Sequence, residues 1–125
     1  MKKAEPSIMI QGIPYKIIVH KDIKEINDVS RKLDSYYKLD ETMNEKKTVV
    51  DGFTDYNTKE IHVNIDPNYS FAQISHIFRH EITHAFLYEI GNSNFEDEDY
   101  VDKISLWTPQ LERLYKESMK SLNKE

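Results

Sequence analysis

The sequence predicts an α+β domain: a small antiparallel or mixed sheet packed on a central helix, with an N-terminal and a C-terminal helix beside it. Three patterns lead there, namely two hairpin-like pairs of short apolar runs, an amphipathic stretch between the pairs, and two long runs of helical period in the C-terminal half. A chain of 125 residues builds one core and no second one. A single domain over residues 1–120 with a polar tail at 121–125 is therefore expected.

Ser7–Gln11 and Tyr15–His20 are β-rich runs on either side of Gly12-Ile13-Pro14, whose Gly and Pro act as turn punctuation. From Asp22 to Leu39 the apolar residues Ile23, Ile26, Val29 and Leu33 recur at three and four, which predicts the first helix. Thr48–Thr54 and Glu60–Ile65 form the second hairpin; Ile61, Val63 and Ile65 alternate with Glu60, His62 and Asn64, so one face is buried. Ser70 is a candidate N-cap for a helix over Phe71–Ile90, apolar on most sides and so expected to be central and largely buried; Gly91 closes it. Ser93 with Glu96 reads as a capping box, which starts the last helix near Phe95, and Pro109 predicts a kink or a restart capped by Thr108.

Composition removes whole classes of function. No cysteine is present, which excludes thiol nucleophiles, disulfide scaffolds and cysteine-held metals, so any metal must sit on His, Asp or Glu. The formal charge of -5 argues against a nucleic-acid or anionic-membrane surface, and the lysines at 2, 3, 46 and 47 read as solvated charge. There is no long apolar run and no secretory signal pattern. A soluble chain of the cytoplasm with no membrane partner is the expectation.

The chemistry is concentrated in His80-Glu81-Ile82-Thr83-His84, an H-E-x-x-H run inside the central helix. One turn separates the histidines, so both imidazoles leave the same face and reach a single tetrahedral ion, while Glu81 sits roughly 100° round the wheel as a general base rather than a ligand. Zn2+ is the cofactor this pattern selects first, although two histidines and a carboxylate also suit iron or manganese. The plain alternative is two surface histidines beside a carboxylate; the flanking cap, the terminal Gly and the acidic cluster that follows weigh against it. A third ligand has five candidates, Glu96, Asp97, Glu98, Asp99 and Asp102, between which helical period does not choose, and most of them serve the helix dipole.

With Asp97-Glu98-x-x-Val101-Asp102 following it, the motif resembles the gluzincin arrangement, in which H-E-x-x-H is completed by N-E-x-x-S-D on the next helix. Asp97 stands where that pattern has Asn and Val101 where it has Ser. The resemblance implies a zincin-like minimal metallopeptidase with His80, His84 and Glu98 on the metal, Glu81 catalytic, and Asp102 orienting a ligand histidine from behind. Phe78 to Glu89, and Gly52-Phe53-Thr54-Asp55 ahead of Ile61-His62-Val63-Asn64, are similar to the short ImmA/IrrE-like and SprT-like metallopeptidases of phages and mobile elements. That likeness spans about Val49 to Leu114. It implies hydrolysis of a protein or peptide substrate, laid along the Glu60–Ile65 edge by strand addition.

Other residues invite over-reading. His76 continues the histidine ladder, but three rungs span about 12 Å, too far for one ion. His62 reads as a solvated strand histidine, and Tyr88 and Tyr100 as core or interface residues that could also donate to an oxyanion. The rivals to an enzyme are a zinc-containing regulatory module that binds a host or repressor protein, and an interaction domain in which the motif is a coincidence.

Overall fold

The computed structural model describes residues 6–22, 24–29 and 51–122. The predicted helix over Asp22–Leu39 is described only at residues 22 and 24–29, and lysines 2, 3, 46 and 47 and the start of the Thr48–Thr54 run lie outside the described residues. Within them the chain is α+β: strands β1 (Ser7–Ile10), β2 (Ile13–His20), β3 (Gly52–Asp55) and β4 (Glu60–Asn64), with helices α1 (residues 24–29), α2 (Phe71–Glu89) and α3 (Glu98–Leu122). No helix among the described residues is long and apolar enough to cross a membrane.

The sheet is mixed, in the order β1-β2-β4-β3. Both hairpins are antiparallel, and β2 runs parallel to β4, with Ile17 opposite Ile61 and Val19 opposite Val63. A parallel neighbour needs a crossover, which the chain between β2 and β3, including α1, supplies. This order corrects one expectation: Glu60–Asn64 is an inner strand, and the outer strand on that side is β3. The first hairpin turns at Gln11 and Gly12, with φ of 51° and 79°, the two positive values that a tight hairpin of this hand requires. Ile13 and Pro14 already belong to β2.

One face of the sheet meets α2. Ile10, Tyr15, Ile61, Val63 and Ala85 make the core, with Ile77, Phe78 and Ile82 packed against it. The Tyr15 ring is fully buried, and its hydroxyl donates to Glu89 Oε2 at 2.5 Å, where Lys59 Nζ also binds at 2.7 Å. Burial first, then the Glu89 bond, raises the Tyr15 phenol above its ordinary pKa, which keeps it a donor. Tyr15→Phe removes a bond to a charged acceptor and is expected to cost about 2 kcal/mol in urea unfolding. Lys59 still holds Glu89, so the loss should not reach that of an orphaned charge.

Ser70 caps α2 in a full capping box: its hydroxyl accepts from Gln73 N at 3.2 Å, and the Gln73 side chain accepts from Ser70 N at 2.8 Å. Gly91, at φ 76°, ends the helix, with Asn92 N donating back to Leu87 O at 2.9 Å. The helix is not buried on most sides as its composition suggested, since Phe71, Phe86 and Ile90 are exposed. The last helix also differs from expectation at three points. It begins at Glu98 rather than near Phe95, because the side chain of Asp97, and not Ser93, accepts from a first-turn amide, Tyr100 N, at 3.1 Å. It continues through Pro109 without the restart, one of the two outcomes expected there, and Thr108 donates to Ile104 O at 2.6 Å instead of capping a new helix. It also takes in Ser121 and Leu122 of the predicted tail.

Candidate metal centre

Both histidines of the motif lie on the α2 face that meets the start of α3. The turn after Gly91 reverses the chain, so Glu98, in the first turn of α3, lands over them. Glu98 Oε2 is 2.8 Å from His80 Nε2 and Glu98 Oε1 is 3.0 Å from His84 Nε2, while the two Nε2 atoms are 3.1 Å apart. The far side of each ring is tied down. His84 Nδ1 donates to the Phe95 carbonyl at 2.6 Å, and a carbonyl can only accept, so Nδ1 keeps its proton and Nε2 is the atom turned to the cluster, where the metal-free ring donates to Glu98. His80 Nδ1 donates in the same way to Asp102 Oδ1 at 2.8 Å.

These distances test the fit to an ion. Metal bonds of about 2.0–2.1 Å in a tetrahedral set place the donors about 3.3 Å apart. The two imidazole nitrogens, 3.1 Å apart, are already within 0.2 Å of that edge, and Glu98 approaches them through its two different oxygens at 2.8 and 3.0 Å. His80, His84 and Glu98 would be able to hold a divalent cation, and Asp102 and Phe95 O supply the outer bonds that fix ring orientation.

The other four acidic candidates stand elsewhere. Asp97 caps α3, Asp102 lies behind His80, and Glu96 and Asp99 are exposed without a hydrogen bond to either histidine. His76 Nε2 is 3.6 Å from Asp102 Oδ1, so it reaches the outer carboxylate and not the donor triangle. Among the described residues two groups of donor atoms lie within 4.8 Å of one another, His80/Glu81/His84 and His76/His80/Asp102.

Glu81 faces the sheet with one oxygen still within 4.8 Å of the His80 and His84 rings. It is 6 % exposed, and its Oε1 is 3.0 Å from the Thr54 hydroxyl. Burial raises its carboxyl to about 7 against the pull of His84 and His80. Gly52 makes room for it: a Cβ there would lie 3.0 Å from Glu81 Cγ and 3.0 Å from the His62 carbonyl oxygen. That carbonyl belongs to the sheet and cannot yield, so Gly52→Ala is expected to push Glu81 aside and to lower stability by about 1–3 kcal/mol, read from the urea midpoint.

Charge in the cluster is balanced by hydrogen bonds. Burial opposes protonation of His80, but Glu98, Glu81 and Asp102 overcome it and raise the ring to about 9; His84 is raised for similar reasons. The bonds from His80 and His84 hold Glu98 down at about 2.

Comparison with known proteins finds no matching family model, curated relative or solved structure. Geometry alone bears on function. Sequence reasoning missed Thr54, Gly52 and the Phe95 carbonyl, which act through close approach or the backbone and leave no motif. It also missed Tyr56, whose ring stacks on Tyr88 at 4.6 Å and meets Phe95 edge-on at 5.1 Å. Burial, then Glu96, Glu81 and Glu98, raise the Tyr56 phenol. Tyr88 lies under Lys59 Nζ at 4.8 Å, and Tyr100 accepts from Asn92, so neither predicted tyrosine has a contact in the donor triangle. His62 is corrected too: it is 5 % exposed, stacked on Phe53 and bonded to His20 at 2.8 Å and Glu60 at 3.2 Å, on the sheet face opposite α2.

Proposed function

We propose that the chain is a zinc-dependent metallopeptidase of the zincin-like kind, hydrolysing peptide bonds of a protein or extended peptide. One observation carries this reading: the Glu98 carboxylate spans the two Nε2 atoms, while the buried carboxyl of Glu81, held by the Thr54 hydroxyl, has an oxygen within 4.8 Å of the same two rings. His80, His84 and Glu98 would hold the ion. When bound, it supplies Lewis acidity, which brings water to a pKa of about 7 and polarises a carbonyl. Glu81, itself near 7, is matched to take a proton from water at its carboxylate and return it to the leaving amine. Thr54 holds that carboxyl in place, and Asp102 and Phe95 O keep both imidazoles in the tautomer that presents Nε2.

Substrate positioning is assigned to β3. Asn64 N donates to Asp51 O at 2.8 Å, which marks that pair as hydrogen-bonded in the antiparallel ladder. Alternation then turns the peptide groups of Gly52 and Thr54 away from β4, and among the described residues no strand lies beyond β3. Those free groups flank Glu81, so an extended peptide paired there runs past the donor triangle.

The test is a zinc measurement together with a peptide-mixture digest. One zinc per chain and chelator-sensitive cleavage, restored by added zinc, are expected. Protein that carries zinc yet cleaves nothing would favour a regulatory binding module; protein that takes up no divalent ion would remove both.

A further inference from the structure

The second half of α3 projects past the body of the domain. From Leu106 to Leu122 every residue except Pro109 is exposed. A free helix of this length is marginal in water, so such an overhang needs cover. Its apolar residues supply the means. Ile104, Trp107, Leu111 and Leu114 follow the 3-4-3 spacing of a coiled-coil seam, with Tyr115 and Leu122 at its margin. Trp107, Leu111, Leu114, Tyr115 and Leu122 are 52–69 % exposed.

We propose that this seam pairs with the same seam on a second copy of the chain, antiparallel, about a two-fold axis near Pro109. In that register Ile104 meets the partner's Leu114 and Trp107 meets the partner's Leu111, and the symmetry repeats both contacts. The residues just before each first seam position flank the interface, and they are Lys103, Gln110 and Glu117. Antiparallel pairing sets Lys103 against the partner's Glu117 at both ends and Gln110 against the partner's Gln110 in the middle. Neither Lys103 nor Glu117 has an ion-pair partner among the described residues, so both are free for this use. A parallel pair would instead set Lys103 against Thr108 and Glu117 against Leu122, with no charge matched.

Area is sufficient. Trp107, Leu111, Leu114 and Tyr115, the exposed apolar side chains within the overlap, offer on the order of 450 Å² per copy, and the flanking stems bring this near the roughly 600 Å² per partner at the lower end of stable interfaces. Glu98 and Asp102 lie on the opposite side of α3 from Leu111 and Leu114, so pairing leaves both metal clefts open to solvent. The proposal does not depend on catalysis.

Sedimentation equilibrium on the full chain tests it. A monomer–dimer equilibrium with a dissociation constant on the order of micromolar is expected. Leu111→Lys should weaken it about 100-fold, and Lys103→Glu about tenfold through two repulsive pairs. The double variant with Lys103→Glu and Glu117→Lys should return to within about threefold of the wild type. Circular dichroism guards against loss of the helix. A monomer up to about 200 µM, a dimer indifferent to Leu111→Lys, or a double variant no tighter than Lys103→Glu would each overturn the pairing.

Discussion

Glu81→Gln is expected to reduce peptide hydrolysis on the order of a thousandfold while zinc stays bound at one per chain. The substitution keeps shape and volume, and the Thr54 hydroxyl, 3.0 Å from Oε1, can donate to the amide oxygen as it does to the carboxylate. What is lost is the ability to take up a proton. Burial raises the Glu81 carboxyl above its unfolded value of 4.5 to about 7, so the charged form is held at a cost that grows as pH rises from 4.5 through 7. The neutral amide escapes that cost, and the variant should melt no lower than the wild type at neutral pH. Loss of zinc together with activity would show that Glu81 ligates the ion, and full activity would remove it from the chemistry.

Removing a donor should act on the metal first. His84→Ala and Glu98→Ala are each expected to weaken zinc binding by more than the 10–100-fold typical of an outer partner such as Asp102, whereas Glu96→Ala and Asp99→Ala should leave it unchanged. Titration of the metal-free protein supplies a second readout. Glu98 is held down at about 2 against 4.5 when unfolded, so its contribution is complete above about pH 4.5 and is lost as pH falls through 2. His80 is raised to about 9 from 6.5, so its contribution is complete below about pH 6.5 and is lost as pH rises through 9. The cluster thus stabilises the metal-free fold most between about pH 4.5 and 6.5. Glu98→Ala should flatten both limbs of the melting profile recorded in chelator. Zinc must displace the protons that the histidines hold, so its affinity should climb with pH and its binding should release protons in calorimetry. A metal-free profile that Glu98→Ala leaves unchanged would count against the bridging carboxylate.

Local features were legible where the physics is local. The strand at Glu60–Asn64, the cap at Ser70 and the stop at Gly91 depend on neighbours in sequence, and the structure places them where the pattern does, although His62 and Asn64 on the second face of the strand are buried too. The histidine pair was legible from helical period, which left five acids open; the resemblance alone pointed to Glu98, and the turn after Gly91 is what brings that first-turn carboxylate over Nε2. Strand order was hidden because the pairing of β2 with β4 is a long-range choice, and it moved the outer strand from Glu60–Asn64 to Gly52–Asp55. Alternation told the faces of β4 apart but could not say that the second face is covered, which is why His62 read as solvated. The capping box at Ser93 failed against Asp97, whose side chain sits one residue ahead of the helix and accepts from its first turn.

The donor triangle and both of its tethers lie between His80 and Asp102, on two helices joined by a short turn, whereas Glu81 is held in place by Gly52 and Thr54 from the far edge of the sheet. Contacts so near in the chain close early during folding, and those that span the crossover close late. On the proposed reading, a nascent molecule would assemble its ion-holding side chains as a helical hairpin before Glu81 is seated, and any hydrolysis would wait for the last docking step.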